Sequence, residues 1–201
     1  MRETPTDPRR EHILDAARRL FAEHGPQKTT VADIAKAAGV GVGTVYLEFD
    51  SKDAIVSELS GTMHGVVLAA MREAVRERDA DADLSTAFIA VIEARTRAFL
   101  SFREKGPGGK GCELLQCRTE VTRREQARFF ERERAFYAEL FAVAGRRREL
   151  GPHEPGRAAE LVQLALASLS PPSLFILPPA DAAARARDLA ALLVAGLAAR
   201  R

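Results

Sequence analysis

The residues best placed to do chemistry lie in one short block of this 201-residue chain, Thr29–Tyr46. The block predicts two short helices joined by a tight turn. Thr30 can cap the first helix, with Asp33 at the capping-box position, and Gly39 stands where a left-handed residue would end it. A helix pair with this turn reads DNA when its second helix is exposed, whereas otherwise it is an ordinary helical hairpin.

Other kinds of chemistry find little support in the residue pattern. The chain has no nucleophile elbow, no Glu-x-x-His pair and no metal-ligand spacing. Gly39, Gly41 and Gly43 do not form a dinucleotide loop, because no strand precedes them and their spacing is wrong. Cys112 and Cys117 would point about 140° apart on a helix, which favours inert thiols over a disulfide or a redox or metal site. We therefore expect a protein that is not an enzyme, with no catalytic residues, metal or cofactor.

Composition narrows the class of protein further. Apolar residues make up 46% of the chain, charged residues 29%, and the net charge is only +2. This balance favours a helical core and excludes a strongly basic nucleic-acid coat. No apolar run suggests a signal peptide, and the longest, Leu189–Ala199, is too short to cross a bilayer. We expect a cytoplasmic protein.

The spacing of apolar residues predicts an all-α fold of about nine helices, with a three-helix helix-turn-helix head and a C-terminal helical body. The head's first helix is expected at about 9–23, and a longer helix capped by Ser51 is expected to reach about 78. Further helices are predicted at about 84–104, 113–118, 122–147, 157–168 and 182–199. The clearest loop is Lys105–Gly111. The predicted domains are residues 1–50 and 51–201.

Residues 9–60 resemble the DNA-binding signature of TetR/AcrR-type transcriptional regulators. The likeness rests on Gly39–Tyr46 followed by Phe49, Ser51 and Lys52, and on Ile13–Ala17 with Leu20, Phe21 and Gly25. The resemblance implies a homodimer whose heads bind a palindromic operator and whose bodies bind a small effector. We accordingly expect a ligand-responsive regulator, a repressor that a small, mostly apolar molecule releases from DNA.

The resemblance also implies which head residues contact DNA. Thr30 would hold a phosphate at a helix N-terminus, and Lys52 would supply a positive charge to another phosphate. Val42 and Leu47 could reach base edges, where an apolar side chain reads a thymine methyl group. The full set of expected DNA contacts is Arg9, Arg10, Thr30, Val42, Thr44, Tyr46, Leu47 and Lys52.

The net negative charge of the head is compatible with a second function that does not involve DNA. Residues 1–60 contain eight Arg or Lys and ten Asp or Glu, a formal charge of −2. Glu48 would also repel a nearby phosphate, and Gly41 offers no side-chain cap to the second helix of the pair. The alternative function is a helical protein-interaction module that keeps the head but has lost DNA binding.

Aromatic residues of the body are either core or the lining of an effector pocket, which the resemblance places between body helices. The expected lining is Met63, His64, Val67, Phe88, Phe99, Phe102, Phe129, Phe136 and Tyr137. His64, a lone imidazole among apolar positions, is either a satisfied histidine or a hydrogen-bonding group of the pocket.

The last two long helices each carry a leucine-rich stripe suited to dimerisation. One stripe is Leu161, Leu164, Ala165 and Ser168, and the other is Leu189, Ala190, Leu193 and Leu197. Packed against their twins, these stripes would form a symmetric four-helix interface. Alternatively, they pack only within one subunit.

Overall fold

A computed structural model describes residues 8–77, 82–104, 113–117 and 119–198. Over these residues the all-α class is confirmed, with eight helices of seven or more residues and no strand. The helices are α1 Pro8–His24, α2 Val31–Ala38, α3 Val42–Glu48, α4 Lys52–Arg76, α5 Leu84–Glu104, α6 Glu113–Gln116, α7 Glu120–Arg146, α8 Pro155–Ala165, α9 Ser173–Ile176 and α10 Pro179–Leu197. The predicted loop Lys105–Gly111 and Cys112 lie outside the described residues.

Local signals explain where most of these helices begin and end. Helices α1, α4, α5 and α7 end within two residues of their predicted bounds. The Ser51 hydroxyl accepts a hydrogen bond from the Ala54 N–H (3.1 Å), as expected of the residue that caps α4. Helix α8 ends earlier than predicted because the 3-10 turn Leu166–Leu169 follows it. Helix α10 starts earlier because Pro179 fits the first turn of a helix.

The chain divides into two compact units. The first contains the described residues up to Met63 and those between Glu104 and Glu125, and the second contains His64–Arg103 and the described residues from Gln126 onward. Helices α4 and α7 therefore contribute residues to both. The start of α4 and the α6 segment belong to the first unit, together with the three head helices. The domain division at residue 50 stays a prediction.

The first unit has its own apolar core. Residues from α1, α2, α3 and the start of α4 pack together with Leu114 of α6. The buried members are Ile13, Leu14, Ala17, Phe21, Ile34, Ala35, Val45, Phe49, Ile55, Val56, Leu59 and Leu114. This core holds the head helices, and so fixes which side of α3 is left at the surface.

Two segments are long and apolar enough, by length and composition alone, to cross a membrane. They are Lys52–Arg76 and Pro155–Ile176, and 44% of each tested window is buried inside the fold. The core helices of soluble proteins meet the same criteria, so these segments are weak support for a membrane assignment.

Candidate nucleic-acid interface and buried polar cluster

The turn between α2 and α3 has the predicted geometry. The Thr30 hydroxyl accepts a hydrogen bond from the Asp33 N–H (3.2 Å), and the Thr30 N–H donates to the Asp33 carboxylate (2.9 Å). Two hydrogen bonds to the Asp33 carboxylate, the larger effect from the Thr30 hydroxyl and the smaller from the Thr30 N–H, lower the pKa of Asp33. Gly39 ends α2 with φ of 68°, the left-handed conformation that glycine adopts without strain. The capping box and the glycine stop are thereby confirmed.

Helix α3 presents large apolar side chains at the surface. Leu47 is 82% exposed, Tyr46 53% and Val42 43%, whereas Val45 and Phe49 are buried in the head core. Thr44 is half-buried. In an ordinary helical hairpin the apolar residues of the second helix would be covered. This helix instead has one face held by the core and one face available to a partner.

The N-cap positions of α2 and α3 differ in what they offer a phosphate. The Thr30 hydroxyl donates to the Asp33 carboxylate (2.7 Å), so its proton is already used within the chain. Gly41 caps α3 with no side-chain hydrogen bond, as the sequence predicted. The contact between Thr30 and a phosphate stays a prediction.

Arg10, one of the side chains predicted to contact DNA, binds groups of the chain itself. The Arg10 guanidinium donates to the Glu48 backbone carbonyl (2.5 Å) and to the Glu58 carboxylate, and it lies 4.0 Å from the centre of the Phe49 ring. Arg10 thereby ties α1 to the end of α3 and to α4. Arg9, beside it, is exposed.

Lys52 connects the start of α4 to the loop that precedes α2. Its ammonium group donates to the carbonyls of Pro26 (2.7 Å) and Thr29 (3.0 Å). An ammonium group has three N–H donors, so one donor remains beyond these two bonds. The predicted phosphate contacts of Arg10 and Lys52 stay predictions, and both residues also have a structural role.

The residues predicted to line an effector pocket are divided between the two units, and their role stays a prediction. Met63 belongs to the first unit, where it packs against the head core. The others lie in the second unit: His64, Val67, Phe88, Phe99, Phe129 and Tyr137 are buried, and Phe102 and Phe136 are half-buried.

The rings of the second unit form two groups. In the histidine cluster, His64 stacks on Phe129 with ring centres 4.7 Å apart, and Phe99 meets Phe129 edge-on at 5.7 Å. In the tyrosine cluster, three phenylalanine rings surround Tyr137 at contact distance. Its neighbours are Phe88 at 6.2 Å, Phe136 at 5.7 Å and Phe141 at 6.4 Å. Such pairs stabilise a core beyond the area they bury.

A buried ion pair lies along the same helices as these rings. Arg95 of α5 and Glu133 of α7 are almost fully buried, and the Arg95 Nε donates to the Glu133 carboxylate (2.5 Å). Burial alone would lower the pKa of Arg95, but the Glu133 carboxylate raises it, so the guanidinium keeps its charge. Glu133 lies one helical turn after Phe129 and one before Tyr137, so the pair falls between the two clusters along α7.

Further hydrogen bonds complete the surroundings of this pair. The Arg95 guanidinium also donates to the Leu169 carbonyl and to the Ser170 hydroxyl, both at 2.7 Å. The Gln163 amide donates to the Phe130 carbonyl (2.6 Å) and, at 3.3 Å, to the second oxygen of Glu133. The pair thereby joins α5, α7, α8 and the segment after α8.

Arg95 and Glu133 were not among the residues predicted from the sequence. A signal for them is present, because Arg95 interrupts the apolar series Phe88, Ile92 and Phe99 at helical spacing. A charge at such a position is buried only when a partner neutralises it. The partner is 38 residues away, and the spacing within α5 does not identify it.

The residues of the two predicted dimer stripes differ in how far they reach the surface of the chain, and the dimer contact itself stays a prediction. Leu161 and Leu164 of α8 are exposed, as a free interface requires. On α10, Ala190 and Leu197 are buried within the unit, and Leu192 is 73% exposed instead. The buried residues Ala182, Ala186, Ala190 and Val194 follow a four-residue spacing and define the inner face of α10. The outer apolar residue of this helix is therefore Leu192, with the half-buried Leu189 and Leu193 near it.

Each unit also has a surface depression away from the predicted site residues. The depression of the first unit, about 410 Å³, is lined by Glu23–Lys28 and Cys117, and Cys117 is a free thiol. That of the second unit, about 860 Å³, lies where Gly151 and His153 meet the end of α10. Neither is lined by a residue predicted to bind DNA or effector.

Comparison with known proteins identifies the head. Residues 13–59 match the description "Bacterial regulatory proteins, tetR family". The HTH-type transcriptional repressor KstR2 of Rhodococcus jostii is 53% identical over 51 residues, which are 25% of this chain and 25% of that protein. The chain thus spans about a quarter of the length of this relative. The resemblance to TetR/AcrR-type regulators is confirmed.

Solved structures show that the likeness in fold extends over nearly all of the chain. The fatty acid degradation regulator FadR from Bacillus halodurans covers 98% of this chain and 100% of its own, with a TM-score of 0.71 and 20% identity. FadR from Bacillus subtilis, solved in complex with stearoyl-CoA, covers 92% and 98%, with a TM-score of 0.70 and 22% identity. At this identity the likeness establishes the fold alone.

Proposed function

Because the head of this chain is that of a TetR/AcrR-type regulator, we propose that the protein is a ligand-responsive transcriptional repressor that binds a palindromic operator as a homodimer. The observation that carries this proposal is the exposed face of α3, with Leu47, Tyr46 and Val42 outside and Val45 inside. A recognition helix must leave one face uncovered to enter the major groove. The match to a repressor over the head supports the same function.

The α3 surface favours a particular way of reading DNA. None of its residues is Arg or Lys, so bidentate contacts to guanine do not come from this helix. Val42 and Leu47 would instead contact thymine methyl groups, while the hydroxyls of Tyr46 and Thr44 would contact the backbone. Positive charge would come from the ends of neighbouring helices, where Arg9 is exposed.

The second unit would bind the effector, a small and mostly apolar molecule. The aromatic residues of α5 and α7 supply apolar contacts, and a FadR of the same fold was solved with stearoyl-CoA. Effector binding would weaken operator binding, and by linkage operator DNA would weaken effector binding by the same factor. The protein would act in the cytoplasm without catalysing a reaction or carrying a cofactor.

A protein-interaction module is the second candidate, and one set of contacts favours it. Arg10 and Lys52 bind carbonyl and carboxylate groups of the head, so phosphate would compete with these partners. An exposed leucine such as Leu47 can serve a protein partner as well as a base pair.

A gel-shift titration separates the two candidates. The full chain is titrated onto DNA flanking its own gene and onto a scrambled duplex of the same length and composition. We expect a distinct complex on the flanking DNA alone, lost in a Leu47→Asp variant that remains folded by circular dichroism. Equal, weak binding to both duplexes would contradict the repressor and favour the module.

A further inference from the structure

The Tyr137 hydroxyl is a buried polar group that the packing of the second unit leaves unsatisfied. Tyr137 is fully buried, and no described residue places a hydrogen-bond partner on its oxygen. A buried hydroxyl without a hydrogen bond makes a fold less stable than phenylalanine would at the same position. Such an oxygen is a candidate contact for a molecule that is not part of the chain.

The groups around Tyr137 determine which kind of ligand atom it can meet. Burial, and then the nearby Glu133 carboxylate, raise the pKa of Tyr137 well above its ordinary value, so the phenol keeps its proton and can donate it. The Arg95 guanidinium donates to Glu133, Ser170 and a backbone carbonyl, so its positive charge is balanced within the chain. An anionic ligand would meet a buried carboxylate without a free cation to offset it.

We infer that the tyrosine cluster is the effector site and takes an uncharged amphipathic molecule whose carbonyl, ether or hydroxyl oxygen accepts a hydrogen bond from Tyr137. Phe88, Phe136 and Phe141 pack on the apolar part of that molecule. Phe136 is the half-buried ring of the cluster, so the ligand would enter from its side. This inference rests on the proposed function, since the molecule bound here is the one that releases the operator.

The chain supplies its own optical probe for this site. It contains two tyrosines and no tryptophan, so the full-length Tyr46→Phe variant has Tyr137 as its sole strong fluorophore. This variant is titrated with three compounds of matched shape: cyclohexyl methyl ketone, cyclohexanecarboxylate and ethylcyclohexane. We expect saturable changes in emission with the ketone, weaker binding of the hydrocarbon by roughly threefold to tenfold, and no saturation with the carboxylate.

A second variant tests the hydrogen bond itself. In calorimetric titrations, Tyr137→Phe should bind the ketone roughly threefold to tenfold more weakly than the wild-type chain and bind the hydrocarbon equally well. Tyr46→Phe, which removes the other phenol, is the matched control and should bind both compounds as the wild type does. Thermal unfolding without ligand should show Tyr137→Phe at least as stable as the wild type, which excludes misfolding as the cause.

Three results would overturn the inference: equal affinities for ketone and hydrocarbon, tighter binding of the carboxylate, or unchanged ketone binding by Tyr137→Phe. The following results distinguish a failure of the proposed repressor function from a failure of this inference. A chain that binds the ketone through Tyr137 but shows no operator preference is not a repressor, and its ligand site still stands. A chain that binds the operator but lacks ketone selectivity is a repressor with another effector site.

Discussion

Arg95 and Glu133 form an ion pair in the core, where each side chain offsets the charge of the other. Removing one partner leaves an unpaired buried charge, which destabilises a fold by about 3–5 kcal/mol. We expect Glu133→Ala to lower the urea midpoint of unfolding by a corresponding amount, and the double variant Arg95→Met with Glu133→Leu to recover most of it. Arg157→Ala, which breaks the exposed pair with Glu160, should change stability by no more than about 1 kcal/mol. A mild effect of Glu133→Ala would contradict the buried pair.

Tyr137 makes the stability of the fold sensitive to alkaline pH. Burial and Glu133 raise its pKa in the folded state, whereas the unfolded chain titrates near the ordinary value of 10.0. Below about pH 10 the phenol is protonated in both states, and as the pH rises toward the folded-state pKa the unfolded chain ionises first, which lowers the free energy of unfolding. We expect Tyr137→Phe to reduce the fall in unfolding free energy between about pH 9 and about pH 11, measured in urea. Tyr46→Phe, at an exposed tyrosine, is the control and should lose as much unfolding free energy over this pH range as the wild type. Equal losses in the Tyr137→Phe and Tyr46→Phe variants would refute this account.

At the scale of elements, different residues of α3 pack in the head core and face the expected DNA partner. Leu47 is 82% exposed and Val45 is buried, so we expect substitution of Leu47 to affect DNA binding and substitution of Val45 to affect stability. We expect Leu47→Ala to leave unfolding unchanged and to weaken operator binding by about 1–2 kcal/mol, the value of the methyl and methylene groups that no longer pack on a thymine methyl group. Val45→Ala, the control, should lower stability by removing core contacts. Fluorescence anisotropy with labelled operator measures the first effect, and operator binding that is unaffected by Leu47→Ala would place the base contacts elsewhere.

The elements also show what a sequence can and cannot predict. Thr30, Gly39 and Ser51 were identified because capping involves residues within a few positions of each other. The outer face of α10 was predicted wrongly at Ala190 and Leu197, because an alanine- and leucine-rich helix has apolar residues on every side and its phase is ambiguous. Arg95 was missed because its partners on α7 and after α8 come together only in the tertiary fold.

At the scale of the molecule, an operator with two half-sites demands two heads held at a fixed spacing. Recognition helices of a dimer enter successive major grooves about 34–36 Å apart. An effector shifts this equilibrium only if it binds more tightly to a dimer with another spacing than to the operator-bound form. Each proposed property of the repressor, operator affinity and release alike, therefore depends on dimerisation.

The apolar residues at the surface of α8 and α10 are the best candidates for that dimer contact. Leu164 is 65% exposed and Leu192 is 73% exposed, and burying a leucine side chain gains about 1.5–3 kcal/mol. We expect Leu192→Glu to yield folded monomers in light scattering, because a carboxylate resists burial in an apolar interface. These monomers should bind the operator far more weakly, since the second head no longer binds as part of one molecule. Val66→Glu, at an exposed valine of α4, is the control and should remain dimeric. A dimeric, operator-competent Leu192→Glu protein would place the interface on another face.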